Sequence, residues 1–128
     1  MKQEHTIQAH VCRYLRMRGC QVVDADVMAG LVYLPINHPS RFAFVNAHKQ
    51  MGYTKGQPDM IVLTPEGRTI LVEMKAGKKG VQSKEQKYFE NWCEKHGFEY
   101  KVWRSLEDCF VDFNNNAMEA KNDNVKTD

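Results

Sequence analysis

Residues 52–75 read GYTKGQPDMIVLTPEGRTILVEMK, and this stretch decides the fold. Asp59–Thr64 is rich in strand-favouring apolar residues, Pro65-Glu66-Gly67 is tight-turn chemistry, and Arg68–Lys75 returns as a second strand. The pattern predicts an antiparallel hairpin. In the returning strand Ile70, Val72 and Met74 point to one side, while Thr69, Leu71, Glu73 and Lys75 point to the other. Glu73 and Lys75 therefore share a face, about 6–7 Å apart along the strand. Apolar side chains on both faces predict a sheet covered on both sides.

The hairpin brings Asp59 of Pro58-Asp59 beside Glu73, fourteen residues further on. Two carboxylates that converge with an ammonium group suit a hard divalent cation, Mg2+ or Mn2+, and the water that it activates. Mg2+ keeps several waters and takes few protein ligands, so Asp59, Glu73 and the backbone carbonyl of Met74 suffice as a first set. Hydrolysis of a phosphodiester needs a nucleophilic water and relief of the charge that builds on the phosphate. Lys75 is placed to orient that water or to stabilise that charge. Taken singly, an Asp after Pro is also a common turn, and Glu-x-Lys on a strand is also a surface ion pair. Their order around one hairpin, followed by a helix, points to a metal-dependent nuclease.

Upstream, residues 3–18 predict an amphipathic helix with Ile7, Val11 and Leu15 on one face and Gly19 ending it. Glu4 lies one turn before Ile7 and Gln8, on the apolar side; a carboxylate there also complements the helix dipole. Gln21–Val27 and Leu31–Ile36 read as strands, the second an edge or terminus because of Pro35. Asn37-His38-Pro39-Ser40 is helix-start chemistry for a short helix closed by Gly52. Downstream, Ser83-Lys84-Glu85-Gln86 matches a capping box for a helix that stops at Gly97. Glu99–Arg104 follows as a strand, and Ser105 and Asp108 start a closing helix with Phe110 and Phe113. His38 and His48 are available as alternative bases, and Asp24 and Asp26 read as a solvated acidic loop.

At 128 residues the chain is long enough for one domain with a proper core, placed at 1–113, and 114–128 is a polar tail expected to be disordered. Cys12, Cys20, Cys93 and Cys109 form no CxxC pair, which favours reduced thiols over zinc or disulfides. No apolar run reaches the ~18 residues of a membrane span. With no apolar N-terminal segment either, the expectation is an intracellular protein without a membrane partner. The net charge of +2 is small, but residues 1–58 carry seven Lys/Arg against Glu4, Asp24 and Asp26. A second group, Lys75, Lys78, Lys79, Lys84 and Lys87, sits beside the acidic pair. Cations around such a site suit a phosphate backbone, although the group also reads as a solvated face. Lys55, Lys78, Lys79 and Lys84 are the candidate DNA contacts.

Gly52-(x3)-Gly56-x-Pro58-Asp59, Glu73-x-Lys75 and Ser83-x-x-Gln86, preceded by the Glu4 helix, resemble the virus-type replication-repair nuclease (VRR-NUC) domain. That domain is a branch of the PD-(D/E)xK superfamily, similar to Holliday-junction resolvases and restriction endonucleases, and the resemblance spans roughly residues 3–104. It implies an α/β (α+β) restriction-endonuclease-like core, a mixed central sheet flanked by helices on both faces. It also implies that Asp59 and Glu73 are metal ligands and Lys75 the catalytic lysine. Glu4 becomes a first-helix glutamate reaching toward the metal, and Gln86 gains a site role beside its capping role. Asn37 and Arg41 fall where the family often has DNA contacts. The resemblance further implies a phage or bacterial enzyme acting on branched or duplex DNA as a homodimer, with restriction-like, nicking or flap cleavage and a catalytically silent DNA-binding module as alternatives.

Overall fold

The computed structural model describes residues 2–26, 35, 37–77 and 80–114. Four strands, β1 (Gln21–Asp24), β2 (Met60–Leu63), β3 (Thr69–Met74) and β4 (Glu99–Trp103), form one sheet in the order β1-β2-β3-β4. β1 and β2 pair antiparallel, β2 and β3 pair antiparallel, and β3 and β4 pair parallel, so the sheet is mixed. The parallel step needs a crossover, which α3 (Lys84–Lys95) supplies. Helices α1 (Lys2–Met17) and α2 (Pro39–Gln50) precede the hairpin, and a helical segment over 106–114 closes the described chain.

The hairpin forms as its sequence predicts. The Thr64 N–H donates to the Arg68 carbonyl at 2.9 Å, Gly67 adopts φ +89, and the Thr64 hydroxyl oxygen accepts from the Arg68 N–H. Both faces of the sheet are covered. On one face Val11 and Leu15 of α1 pack with Met60, Val62, Ile70, Val72, Met74 and Trp103, together with Cys109 and Phe113 of the closing segment. On the other face the ring of Phe89 in α3 meets Tyr100 of β4 at 6.3 Å.

The ends of the elements follow local chemistry. Gly19 at φ +86 ends α1, and Ser83 and Gln86 close a reciprocal capping box at the start of α3. Ser105 and Asp108 form a second cap: the Ser105 Oγ accepts from the Asp108 N–H, and Asp108 accepts from the Arg104 N–H. Trp103, buried in the core, donates its indole N–H to Asp112 at 2.6 Å. Lys101 and Asp112 add an ion pair on that face.

β1 ends at Asp24, short of the expected Gln21–Val27, although the Ala25 N–H still donates to the Asp59 carbonyl in the same antiparallel register; Val27 lies outside the described residues. The strand expected over 31–36 and the tail beyond Asn114 lie outside the described residues, apart from Pro35, which is exposed. The four cysteines are free thiols. Three are buried, and burial raises their thiol pKa values, Cys109 to about 12. No helix among the described residues is long and apolar enough to cross a membrane.

Candidate active site

Asp59 stands at a break in the β2–β3 ladder. Met60 pairs with Val72, yet the Asp59 N–H also donates to the Val72 carbonyl at 2.9 Å. Two residues thus face one partner, which is a β-bulge, and a bulge re-aims the side chain beside it. The Asp59 carboxylate accepts the Met74 N–H at 2.6 Å, a bond that crosses the sheet where the ladder is interrupted. The Met74 carbonyl points to the same side as its N–H, as in any extended strand, and so toward Asp59. The Asp59 carbonyl in turn accepts from the Ala25 N–H at 2.8 Å, and the Gln57 side-chain amide donates to the Ala25 carbonyl at 2.6 Å. These bonds tie the end of β1 to the Pro-Asp turn.

Glu73, next along β3, is completely buried. Its Oε2 accepts from Gln82 Nε2 at 2.9 Å, while Oε1 is buried with no protein partner. A buried carboxylate oxygen without a donor is costly unless something else satisfies it. Lys75 carries the parallel ladder one residue further, its N–H donating to the Trp103 carbonyl at 3.0 Å. Its charge favours the ionised form of both Asp59 and Glu73.

Burial pushes the Asp59 carboxyl up to about 6; the Met74 N–H bond opposes this, and the negative charges of Asp26 and Glu4 add to it. Burial likewise raises Glu73, opposed by the Gln82 bond and by Lys75. A site that resists carboxylate charge and leaves one oxygen orphaned fits a divalent cation as the missing counter-charge. Among the described residues no three His, Cys, Asp or Glu side chains cluster closely enough to hold an ion by themselves. Asp59, Glu73 and the Met74 carbonyl are the groups that would offer oxygens to such an ion here.

A cavity of about 280 Å3 opens at Asp59, lined by Asp26, Tyr53, Lys55, Gln57, Ser83 and Gln86 among others. Gln86 is in the cavity wall although its amide oxygen is taken by the Ser83 N–H at 2.7 Å. Glu4, half-buried in the first turn of α1, acts on Asp59 through its charge. Lys55 pairs with Glu85 at 3.4 Å across the cavity's edge, and Lys84 is exposed at the start of α3. Lys78 and Lys79 lie outside the described residues. Asn37, exposed before α2, and Arg41, half-buried within it, do not line this cavity. His38 caps α2 by accepting the Ser40 N–H, and His48 packs its ring on Phe44. Neither histidine is part of the site.

Two members of the site escaped the sequence. Asp26 is half-buried at the cavity rather than out in a solvated loop, and nothing in its neighbours announces this. Gln82 directly precedes the capping box, and only tertiary structure shows that it bonds Glu73. Replacing it with Ala is expected to weaken Mg2+ binding by about 10- to 100-fold, the usual cost of losing a residue that orients a ligand. Isothermal titration with Mg2+ checks this.

Gly56 joins the turn to α3. At φ +92 it already excludes a side chain, and an added Cβ would come within 2.4 Å of the Glu85 carbonyl oxygen. Gly56→Ala is expected to cost about 2–4 kcal/mol, from strain at positive φ and from backbone overlap. Urea denaturation measures that loss.

A Pro-Asp turn that meets a Glu-x-Lys strand, on a mixed sheet covered by helices on both faces, is the core of a PD-(D/E)xK nuclease. The chain belongs to the VRR-NUC family: the family model for the VRR-NUC domain matches residues 3–107. A solved VRR-NUC domain has the same fold, with a TM-score of 0.60 and 18% sequence identity, over 83% of this chain and 88% of that one. No curated protein matches the chain.

Proposed function

We propose that this chain is a Mg2+- or Mn2+-dependent endonuclease that cuts branched DNA, acting as a homodimeric junction resolvase. The observation that carries the reading is the buried, unpartnered Oε1 of Glu73, set beside a bulge that aims Asp59 at the same strand end. Asp59, Glu73 and the Met74 carbonyl would hold the ion, with Glu4 and Asp26 adding negative charge around it. When bound, such an ion supplies Lewis acidity toward a phosphate oxygen and the hydrolytic water.

The chain's own groups supply the rest. Lys75 neutralises charge that develops on the phosphate as water adds to phosphorus and the bond to the 3′-oxygen breaks. Gln86 and Lys55 line the cavity where the backbone would lie. Gln82 holds one oxygen of Glu73 and leaves the other for the ion. Lys84 extends the positive rim, and Lys78, Lys79, Asn37 and Arg41 stay as candidate DNA contacts. A C2 dimer places two such sites on two opposed strands, which suits symmetric cleavage of a four-way junction.

Cleavage of a synthetic four-way junction, a flap and a linear duplex, each with Mg2+, Mn2+ or EDTA, tests the reading. Preferential, metal-dependent cutting of the junction is expected. Equal rates on linear duplex would remove the resolvase assignment, and junction binding without cleavage in Mn2+ would leave a DNA-binding module.

A further inference from the structure

Lys84, Tyr88, Trp92 and His96 recur at four-residue spacing and so lie along one stripe of α3 and its cap. Tyr88 is 73% exposed, Trp92 49% and nearby Phe98 52%. The helix meets the sheet through Phe89, which faces Tyr100, and buries Cys93, while the stripe keeps much of its surface exposed. The Trp92 indole is nevertheless held in place: it stacks on Phe98 at 6.0 Å with 15° between planes, and rests against His96 at 4.3 Å. An exposed aromatic group that is already ordered offers a flat face at little entropic cost.

Tyr88 and Trp92, with Thr54, Lys55 and Phe89, line a cavity of about 310 Å3. Lys55 also borders the cavity at Asp59, so the two spaces share a wall. Lys84 and Lys87 are exposed on the same helix. Aromatic faces interleaved with lysines, running away from a phosphodiesterase site, match the needs of a single strand: bases stack and phosphates pair. A protein partner would have to desolvate those lysines. The Lys55–Glu85 pair is exposed and exchanges cheaply for a phosphate.

We propose that Tyr88 and Trp92 form a stacking shelf for an unpaired nucleobase of the DNA, whose phosphates contact Lys55 and Lys84. The inference rests on the endonuclease reading and adds a requirement for unpaired nucleotides next to the cleavage site.

The test uses the full chain in EDTA, so that binding is read without cleavage. Fluorescein-labelled duplexes with a short thymidine tail, or with the same tail made abasic, are titrated by anisotropy. Wild type is expected to bind the thymidine tail about 5- to 150-fold more tightly than the abasic one, the range for losing base stacking. The chain has two tryptophans and Trp103 is buried, so quenching of the exposed emission reports Trp92 directly. Tyr88→Ala and Trp92→Ala should reduce the thymidine tail to abasic affinity, and Trp92→Phe should restore most of the difference. Equal binding of both tails by wild type, or unchanged binding by both alanine variants, overturns the shelf. A dimer that Trp92→Ala converts to monomer, with tail discrimination intact, also overturns it and assigns the stripe to a second copy of the chain. Tail discrimination without any metal-dependent cleavage would instead sink the endonuclease reading and leave the shelf standing.

Discussion

Lys75→Ala is expected to lower the single-turnover rate of junction cleavage by about 10²- to 10³-fold, the usual cost of removing one charge contact made in the transition state. Junction binding in EDTA should fall by less than about tenfold, because one cation among several is lost. The split between the two measurements carries the argument, since a lysine that merely held the strand would damage both. The Lys75 backbone stays bonded to Trp103, so the substitution leaves the β3–β4 ladder in place. Its charge now favours ionisation of Asp59 and Glu73. Without it both carboxyls titrate higher, and whatever cleavage survives should need a more alkaline buffer. Undiminished cleavage by the variant would refute the role given to this residue.

Asp59→Asn should produce two opposite effects. Cleavage is expected to fall by at least about 10²-fold, because an amide is a poor ligand for a hard cation. The metal-free protein, in contrast, should become more stable at pH 8. The Asp59 carboxyl is raised from its ordinary 3.8 to about 6, chiefly by burial. The folded state therefore holds this proton more tightly than the unfolded state does. The metal-free wild type accordingly loses stability as pH climbs from about 4 to about 6, and the penalty is constant above that, at up to about 3 kcal/mol. Asn carries no charge and can still accept the Met74 N–H, so it escapes the penalty. The stability difference should vanish at about pH 2.5, well below the ordinary 3.8, where Asp59 is protonated in both states. Saturating Mg2+ at pH 8 should stabilise wild type by binding only the folded form and leave the variant unchanged. Thermal melts at the two pH values, with and without Mg2+, measure all of this. A variant less stable at pH 8 would refute the burial penalty on the Asp59 carboxylate, and one still stabilised by Mg2+ would show that Asp59 is not the ion's carboxylate.

Much of the site could be read from local signals, because each is encoded within a few residues. Alternation of period two and the Pro-Glu-Gly turn set the hairpin, and with it the approach of Asp59 to the Glu73-Met74-Lys75 strand end. Ser83 and Gln86 bond each other across one helical turn, so the start of α3 was equally legible. Ile7, Val11 and Leu15 announced which face of α1 meets the sheet. The resemblance to the VRR-NUC domain added Glu4, which its place in the first turn left ambiguous.

Other features were decided only when the chain closed on itself. The bulge at Asp59 arises because two N–H groups turn to one carbonyl, and the alternating pattern of the strand does not record that. Asp26 reaches the cavity because Gln57 and Asp59 bond the backbone of Ala25, thirty-odd residues away in sequence. Gln82 finds Glu73 because the parallel pairing of β3 with β4 makes the chain cross over and fold α3 back across the sheet. By itself, then, the sequence determined the hairpin, the two carboxylates and the lysine, since these depend on periodicity and turn chemistry over short range. The tertiary structure alone decided which oxygen of Glu73 is held and which is left bare, because burial and long-range hydrogen bonds exist only in the packed molecule.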